Sequence, residues 1–379
     1  MTADPDGRDP RDFGDELLAS PRCPVTRTPS GEVLVAGHAE VVEVATDPGR
    51  FSSAVSAHLQ LPNGLDGEEH ARFRALIDAY LAPAVVEKHE GDFRRIAHEV
   101  VAAELTADTV RADAVSDVGA HFAVRAMTAW LGWPEELEDR LIGWVAENPR
   151  ATRSGDPQRT AAVAAEFDAI IGEVVRPRQE NPERFDDVTA DLVNDTSLGR
   201  KLEFPEIVSV LRNWTGGDLG SMALSVGVVL HGLTQVPGLQ EHLREGVSRE
   251  EFAAVADELL RRDDPFVSNR RVTTCPVTVG GVDLPEGQRV RIHWTAANRD
   301  PAVFADPDGF DPAGNAAGNL VWGTGPHYCP GKPLSMLELQ SLVEELLALA
   351  RVRLPAAEAG RSVHPVGGWE LLPVELERR

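Results

Sequence analysis

Positive charge is scarce in this 379-residue chain: 37 lysines and arginines stand against 61 aspartates and glutamates, a formal net charge of −24. A surplus of that sign repels phosphate backbones and anionic membrane surfaces, so neither a nucleic-acid nor a membrane partner is expected. Cysteine is scarcer still. Cys23, Cys275 and Cys329 are an odd number at wide spacing and give no disulfide framework. No run reaches the ~18–20 consecutive apolar residues of a membrane span. Met1–Arg8 has neither the basic start nor the apolar core of a secretion signal, which leads us to expect a cytoplasmic protein. No internal repeat and no long linker breaks the chain. We therefore expect one domain over 1–379, with about the first 13 residues, rich in Asp, Pro and Arg, flexible.

What is present is mostly helical patterning. From His70 to about residue 260, Ala, Leu, Val, Arg and Glu recur at three- and four-residue spacing, punctuated by Pro83, Pro134, Pro157 and Pro182. The runs 33–36 and 41–44 suggest a small sheet mixed with a helix. Around 272–292, short β-branched runs flank the turn-like Gly280-Gly281 and predict strands. Residues 297–328 show no dominant period, 333–352 return to a helix, and the tail near Trp369–Leu376 reads as a closing strand or hairpin. The fold class is mainly α with small β-sheets. A long central helix is expected from near Pro205 to before Pro237, roughly 48 Å at ~1.5 Å per residue. Its middle, Thr215-Gly216-Gly217-Asp218-Leu219-Gly220-Ser221, carries glycines that each cost ~1 kcal/mol relative to alanine, so close packing or a function must account for them.

The segment from Val321 to Leu334, VWGTGPHYCPGKPL, is the most informative. Gly323, Gly325 and Gly331 let the backbone turn sharply or approach a neighbour closely. Cys329 stands immediately before a helix, where a thiolate gains from backbone N–H groups and the helix dipole and suits a metal ligand. The blander readings are an inert buried thiol, half of a zinc site with His327, or a nucleophile whose partners lie elsewhere. Residue types alone leave these open.

The same segment resembles the haem-ligand loop of the cytochrome P450 family, an aromatic-Gly-x-Gly-x-His-x-Cys-x-Gly pattern leading into a helix. The resemblance implies that haem b lies between the long central helix and this loop, with Cys329 as axial thiolate to the iron. Trp322, in place of the family's usual Phe, would cover the sulfur, and His327 would reach a haem propionate. Gly323 and Gly325 would let the loop pass close to the porphyrin, with Gly331 completing the motif. Further matches cover most of the chain. Glu258 and Arg261 fit a Glu-x-x-Arg helix whose buried network Arg299 would join. His70 and Arg74 fit a His-x-x-x-Arg helix that binds propionates, and Arg271, with Arg270 as the alternative, fits a third propionate ligand. Gly217, Asp218 and Thr215 fall in the oxygen-activating stretch of the central helix. Asp218 is the expected proton-delivering acid. Leu219 stands where the family's threonine belongs, Thr215 is a substitute only if the helix is distorted, and Ser221 should point to another face.

By this resemblance the chain is an oxidoreductase that hydroxylates an apolar or aromatic secondary-metabolite-like substrate. It would use dioxygen and electrons from a separate ferredoxin and reductase. Leu219 keeps alternatives open: a proton path through substrate or water, peroxide-driven oxidation, or oxidative cross-linking of a peptide or carrier-bound aromatic substrate. A haem-binding protein without turnover is a different class of reading. Expected pocket walls include Leu61, Trp214, Gly216, Phe266 and Val267. The short segment between Phe51 and His70 suggests either an open distal side or a roof supplied from residues 148–160. Arg72 and Lys332 would give a basic docking patch on the cysteine side.

Overall fold

Leu, Val and Ile at helical spacing, with Pro205 in the first turn and a reciprocal Glu203/Glu206 capping box, build one 32-residue helix, Phe204–Gln235. It ends where Val236, extended before Pro237, cannot continue it. This computed structural model describes residues 3–19, 24–356 and 358–379. Cys23 and the first two residues lie outside the described residues.

The helix is the axis of the apolar core. A wide-turned segment, Ala114–Ala120, crosses it so closely that a side chain at Gly119 would come within 2.6 Å of the Ala223 carbonyl oxygen. The helices His121–Leu131 and Pro157–Glu180 pack along it, and the helix after the cysteine, Lys332–Leu349, packs on Glu90–Glu104. Trp130, Phe93, Phe122, Phe167 and Met127 are fully buried among them.

A five-stranded sheet runs in the order Val25–Arg27, Val33–Val35, Arg289–His293, Ser268–Thr273, Phe51–Ser52. Only the pairing of Val33–Val35 with Arg289–His293 is parallel. The run Val41–Val44 belongs instead to a helix, His38–Thr46, that covers the sheet. Val277–Val279 and Val282–Leu284 form the hairpin about Gly280-Gly281. At the tail, Pro373–Arg378 pairs with both Thr109–Asp113 and Ala350–Arg353, while Trp369–Leu371 pairs with Gly360–Arg361. The strands Trp369–Leu371 and Pro373–Arg378 thus pair with other strands rather than with each other. The N-terminal stretch, expected to be flexible, contains a helix, Pro10–Ala19, with Phe13 in the core and Asp9 bonded to Arg361.

One buried ion pair organises the irregular stretch 298–320. Arg261 donates to both carboxyl oxygens of Glu258 at 2.7 and 3.0 Å, and both side chains are essentially inaccessible. Arg261 also donates to the carbonyls of Asn298, Pro307 and Gly309, and Glu258 accepts from the Asp311 amide and Asn315. Arg299 does not reach Glu258. It pairs with Asp15 and Asp308 and shares only the Pro307 carbonyl with Arg261, because its side chain runs toward the N-terminal helix. Removing one member of a buried pair strands the other charge, at about 3–5 kcal/mol. Glu258→Ala should lower the denaturation midpoint accordingly and Glu258→Gln should lose less; an alanine variant as stable as the parent would refute this role.

Candidate active site

Cys329 is delivered by a tight loop. Its amide donates to the Trp322 carbonyl at 2.8 Å, and Gly323 and Gly325 hold φ of +70° and +72°, open to glycine at little cost. Gly325 is also required for packing, since a side chain there would come within 2.8 Å of the Ala45 carbonyl oxygen. Its close approach is therefore to the helix His38–Thr46. A side chain at Gly331 would sit 3.6 Å from the Cys329 sulfur. Burial pushes the Cys329 thiol up, while the Gly331 and Lys332 amides, at the start of the following helix, act in the opposite direction. Asp257 was not anticipated. It accepts from the Trp322 indole and from Lys332, each at 2.6 Å, and fixes both flanks of the cysteine.

Beside this loop stands a group of nitrogen donors. The His70 and His327 rings lie 4.1 Å apart. His70 is buried with Nε2 unpartnered, and burial lowers its pKa. His327 contacts Ser53 Oγ at 3.0 Å and is lowered to about 4 by burial and then by Arg271. Arg271 is buried, donates to the Arg270 carbonyl, and has no ion pair among the described residues. Arg270 turns the other way to pair with Glu32, which separates the two arginines. Arg74 is committed to the loop, donating to the Pro326 and Tyr328 carbonyls at 3.0 and 2.8 Å and pairing with Asp78. The nearby carboxylate, Asp66, is already bonded to Ser52 and the Ser53 amide. Two imidazoles and a buried guanidinium with so little negative charge to meet suit an anionic group.

The central helix presents a bare face. Side chains built at Gly217 and Gly220 would meet nothing within 4 Å. At about 100° per residue, Gly217, Gly220, Ser221 and Leu224 share one face, and all four line a cavity of about 310 Å³. Ser221, on a different face from the buried Leu219, lines the cavity with its hydroxyl donating to the Gly217 carbonyl at 2.7 Å. Asp218, one residue from Gly217, is turned away toward the helix after the cysteine. Ser335 donates to its Oδ1 at 3.2 Å, and its Oδ2 is buried and unpartnered. Glu338, inaccessible and with neither carboxyl oxygen bonded, lies on the same helix as Ser335. Burial raises Asp218 to about 7 against the opposing Ser335 hydrogen bond, and burial, then the neighbouring Asp218, raise Glu338 well above its usual range. Thr215 is fully buried and donates to the Leu211 carbonyl, and Leu219 is fully buried, so neither reaches the cavity.

Of the expected walls, Gly216 and Phe266 line the cavity. Leu61 and Val267 are core residues, and Trp214 packs between Tyr80 and Trp130. The roof comes from the helix Glu138–Arg153, the alternative left open for the short segment before His70. Walls from residues 115–116 and 362–370 were missed, because isolated residues in five separate segments carry no joint pattern. Glu338 did leave a signal: an acid amid Leu334, Leu337 and Leu342 on an otherwise apolar face. On the cysteine side, a groove of about 660 Å³ carries Lys332, Arg74 and Arg249, each ion-paired, and does not include Arg72. The expected basic patch is therefore a neutralised one.

A sequence model described as Cytochrome P450 matches residues 252–365. The chain is 28% identical over 359 residues to the putative cytochrome P450 126 of Mycobacterium tuberculosis, covering 86% of this chain and 83% of that protein. It is 29% identical over 318 residues to the cyclomarin C epoxidase CymV of Salinispora arenicola, covering 79% and 78%. Among solved structures, P450 OxyD, involved in the biosynthesis of vancomycin-type antibiotics, superimposes with a TM-score of 0.81 at 27% identity, covering 99% of this chain and all of that one. The open P450 EryK of S. erythraea gives 0.84 at 25%, covering 97% and 95%. Fold and loop together resemble those of bacterial-type oxidoreductases, a likeness that implies a cysteine-ligated haem. The family model, the relatives and the solved structures together support a bacterial-type cytochrome P450, an enzyme of the monooxygenase type. The unpartnered His70 Nε2 and the unpaired Arg271 fit the two carboxylates such a haem carries.

The raised Asp218 has a consequence for stability. Its folded pKa lies above the ordinary aspartate value, so between about pH 4 and 7 the folded chain holds a proton that the unfolded chain has released. Stability from this site is full below that window and falls as pH rises through it, by at most ~1.4 kcal/mol per pH unit. Denaturation of Asp218→Asn across that range should show a flatter profile than the parent, and parallel profiles would refute the assignment.

Proposed function

We propose that the chain carries haem b and oxidises an apolar or aromatic small molecule of secondary metabolism, using dioxygen and electrons from a separate ferredoxin and reductase in the cytoplasm. The observation that carries this reading is Cys329 at its helix N-terminus, beside a buried group of unpaired nitrogen donors, His70 and Arg271, in a chain whose central helix also lines an apolar cavity. In support, one similar protein is named an epoxidase and another is described as serving antibiotic biosynthesis.

In this reading Cys329 holds the iron, while His70, His327 and Arg271 hold the propionates by charge-assisted bonds. When bound, the haem supplies dioxygen activation and oxygen insertion. Trp322, pinned by Asp257, shields the sulfur from water, and lower polarity there alters how strongly it donates. The central helix contributes space at Gly217 and Gly220. The one hydroxyl of that helix lining the cavity, Ser221, already donates its proton to a backbone carbonyl, so protons must come from water or from the substrate itself. The proximal groove, with Tyr328 exposed beside Pro330 and Met336, is where an electron donor would dock.

That commitment of Ser221, with Thr215 and Leu219 buried behind it, favours a second reading: peroxide-driven oxidation or one-electron coupling, which makes less demand on a distal proton donor. The test is spectral first. The purified protein should show a thiolate-type red-shifted ferrous–CO band that Cys329→Ser abolishes; a band at the imidazole position in the parent would sink the assignment. Turnover with ferredoxin, reductase and reduced nicotinamide should then exceed turnover with peroxide, and the reverse order would select the second reading.

A further inference from the structure

The cavity has an uneven polarity. Its inner end is glycine, and its walls are Val115, Ile142, Trp144, Leu224, Phe266 and Val366. Two of these are fixed aromatic surfaces. Trp144 is stacked on Phe167 at 4.0 Å and donates its indole N–H to the Val163 carbonyl. Phe266 is 46% exposed, unusual for a large apolar side chain, while its amide is held by Asp264. The charged lining residues are Arg150, Arg153 and Glu370. They leave a net positive charge on this lining, in a chain of formal charge −24.

Arg153 is spoken for: it pairs with Glu370 at 2.9 Å, joining the roof helix to the strand Trp369–Leu371 across the cavity's edge. Arg150 is not. The acid one helical turn before it, Glu147, is taken by Arg159 at 2.6 Å, and Arg150 has no hydrogen bond or ion pair from its side chain among the described residues. With acids in such excess, most arginines here have found one. Arg150 is exposed at the cavity's edge, and an arginine left free there, next to a carboxylate-bound one, can receive an anion.

We propose that the substrate is an aromatic or apolar molecule bearing a carboxylate, its body between Trp144 and Phe266 and its anionic end on Arg150, with Arg153 able to exchange Glu370 for it. This rests on the oxidase reading above and names that site's substrate class. Anchoring at the roof leaves the far end of the molecule directed at the glycine face, where reaction would occur. A volume of about 310 Å³ suits a compact one- or two-ring acid.

The test is a Soret spin-state titration of the haem-loaded protein with matched pairs: phenylpropanoic, naphthylacetic and indolylacetic acids against their methyl esters. Acids should bind on the order of tenfold more tightly than the esters, the preference shrinking as salt is raised. Arg150→Glu should abolish or invert it and Arg150→Gln should reduce it, while Arg111→Glu, a surface arginine on the tail sheet, controls for overall charge. Esters binding as tightly as acids, an acid preference that survives Arg150→Glu, or no acid-dependent shift up to millimolar concentration would overturn the proposal. The thiolate-type ferrous–CO band is read in every variant, so loss of acid preference with the band intact overturns the substrate class alone, whereas loss of the band faults the underlying oxidase reading.

Discussion

One helix, Arg249–Arg262, fixes what the rest of the site depends on. Its neighbouring acids, Asp257 and Glu258, point into two different networks. Asp257 ties Trp322 and Lys332, the residues flanking the cysteine loop, and its carbonyl accepts from Asn319. Glu258, through Arg261, gathers the carbonyls and amides of 298–315. A stretch with almost no regular structure of its own is thereby held to a rigid element, with its backbone polar groups satisfied by buried charge. The geometry at Cys329 is inherited from that anchorage.

Charge is divided across the site in a way composition hides. On one side, cationic and imidazole groups meet a single occupied carboxylate, and burial keeps both histidines low. On the other, Asp218 and Glu338 face each other between the central helix and the helix after the cysteine, without a cation, and burial keeps them high. Each half is uncomfortable alone. The first is eased by an anionic cofactor edge, and the second by retaining protons.

How much of this was legible follows from how far each signal reaches along the chain. The central helix announced itself because proline, caps and period agree within one segment. The cysteine loop did so because its glycines, histidine and thiol lie within nine residues of one another. Arg271 could be favoured over Arg270, and strand alternation then sent the two to opposite faces. Asp218 was read in the right helix but not at the right angle, since one residue of register turns a side chain by about 100°. Arg299 was placed near its network but joined a different acid, Asp15, from a helix whose docking nothing local foretold. Trp214, Leu61 and Val267 were chosen for apolarity, which core and cavity walls share alike.

The bare face of the central helix has a consequence for how such a protein can change. Because Gly217 and Gly220 contribute no side chains, the contour met by a ligand is drawn by the roof helix, by residues 115–116 and by the segment 362–370. None of these holds the cysteine loop or the histidine–arginine group. Preference for one molecule over another can therefore drift through substitutions in those borrowed walls while the redox machinery stays untouched, a division of labour in which novelty and conservation occupy different parts of one chain.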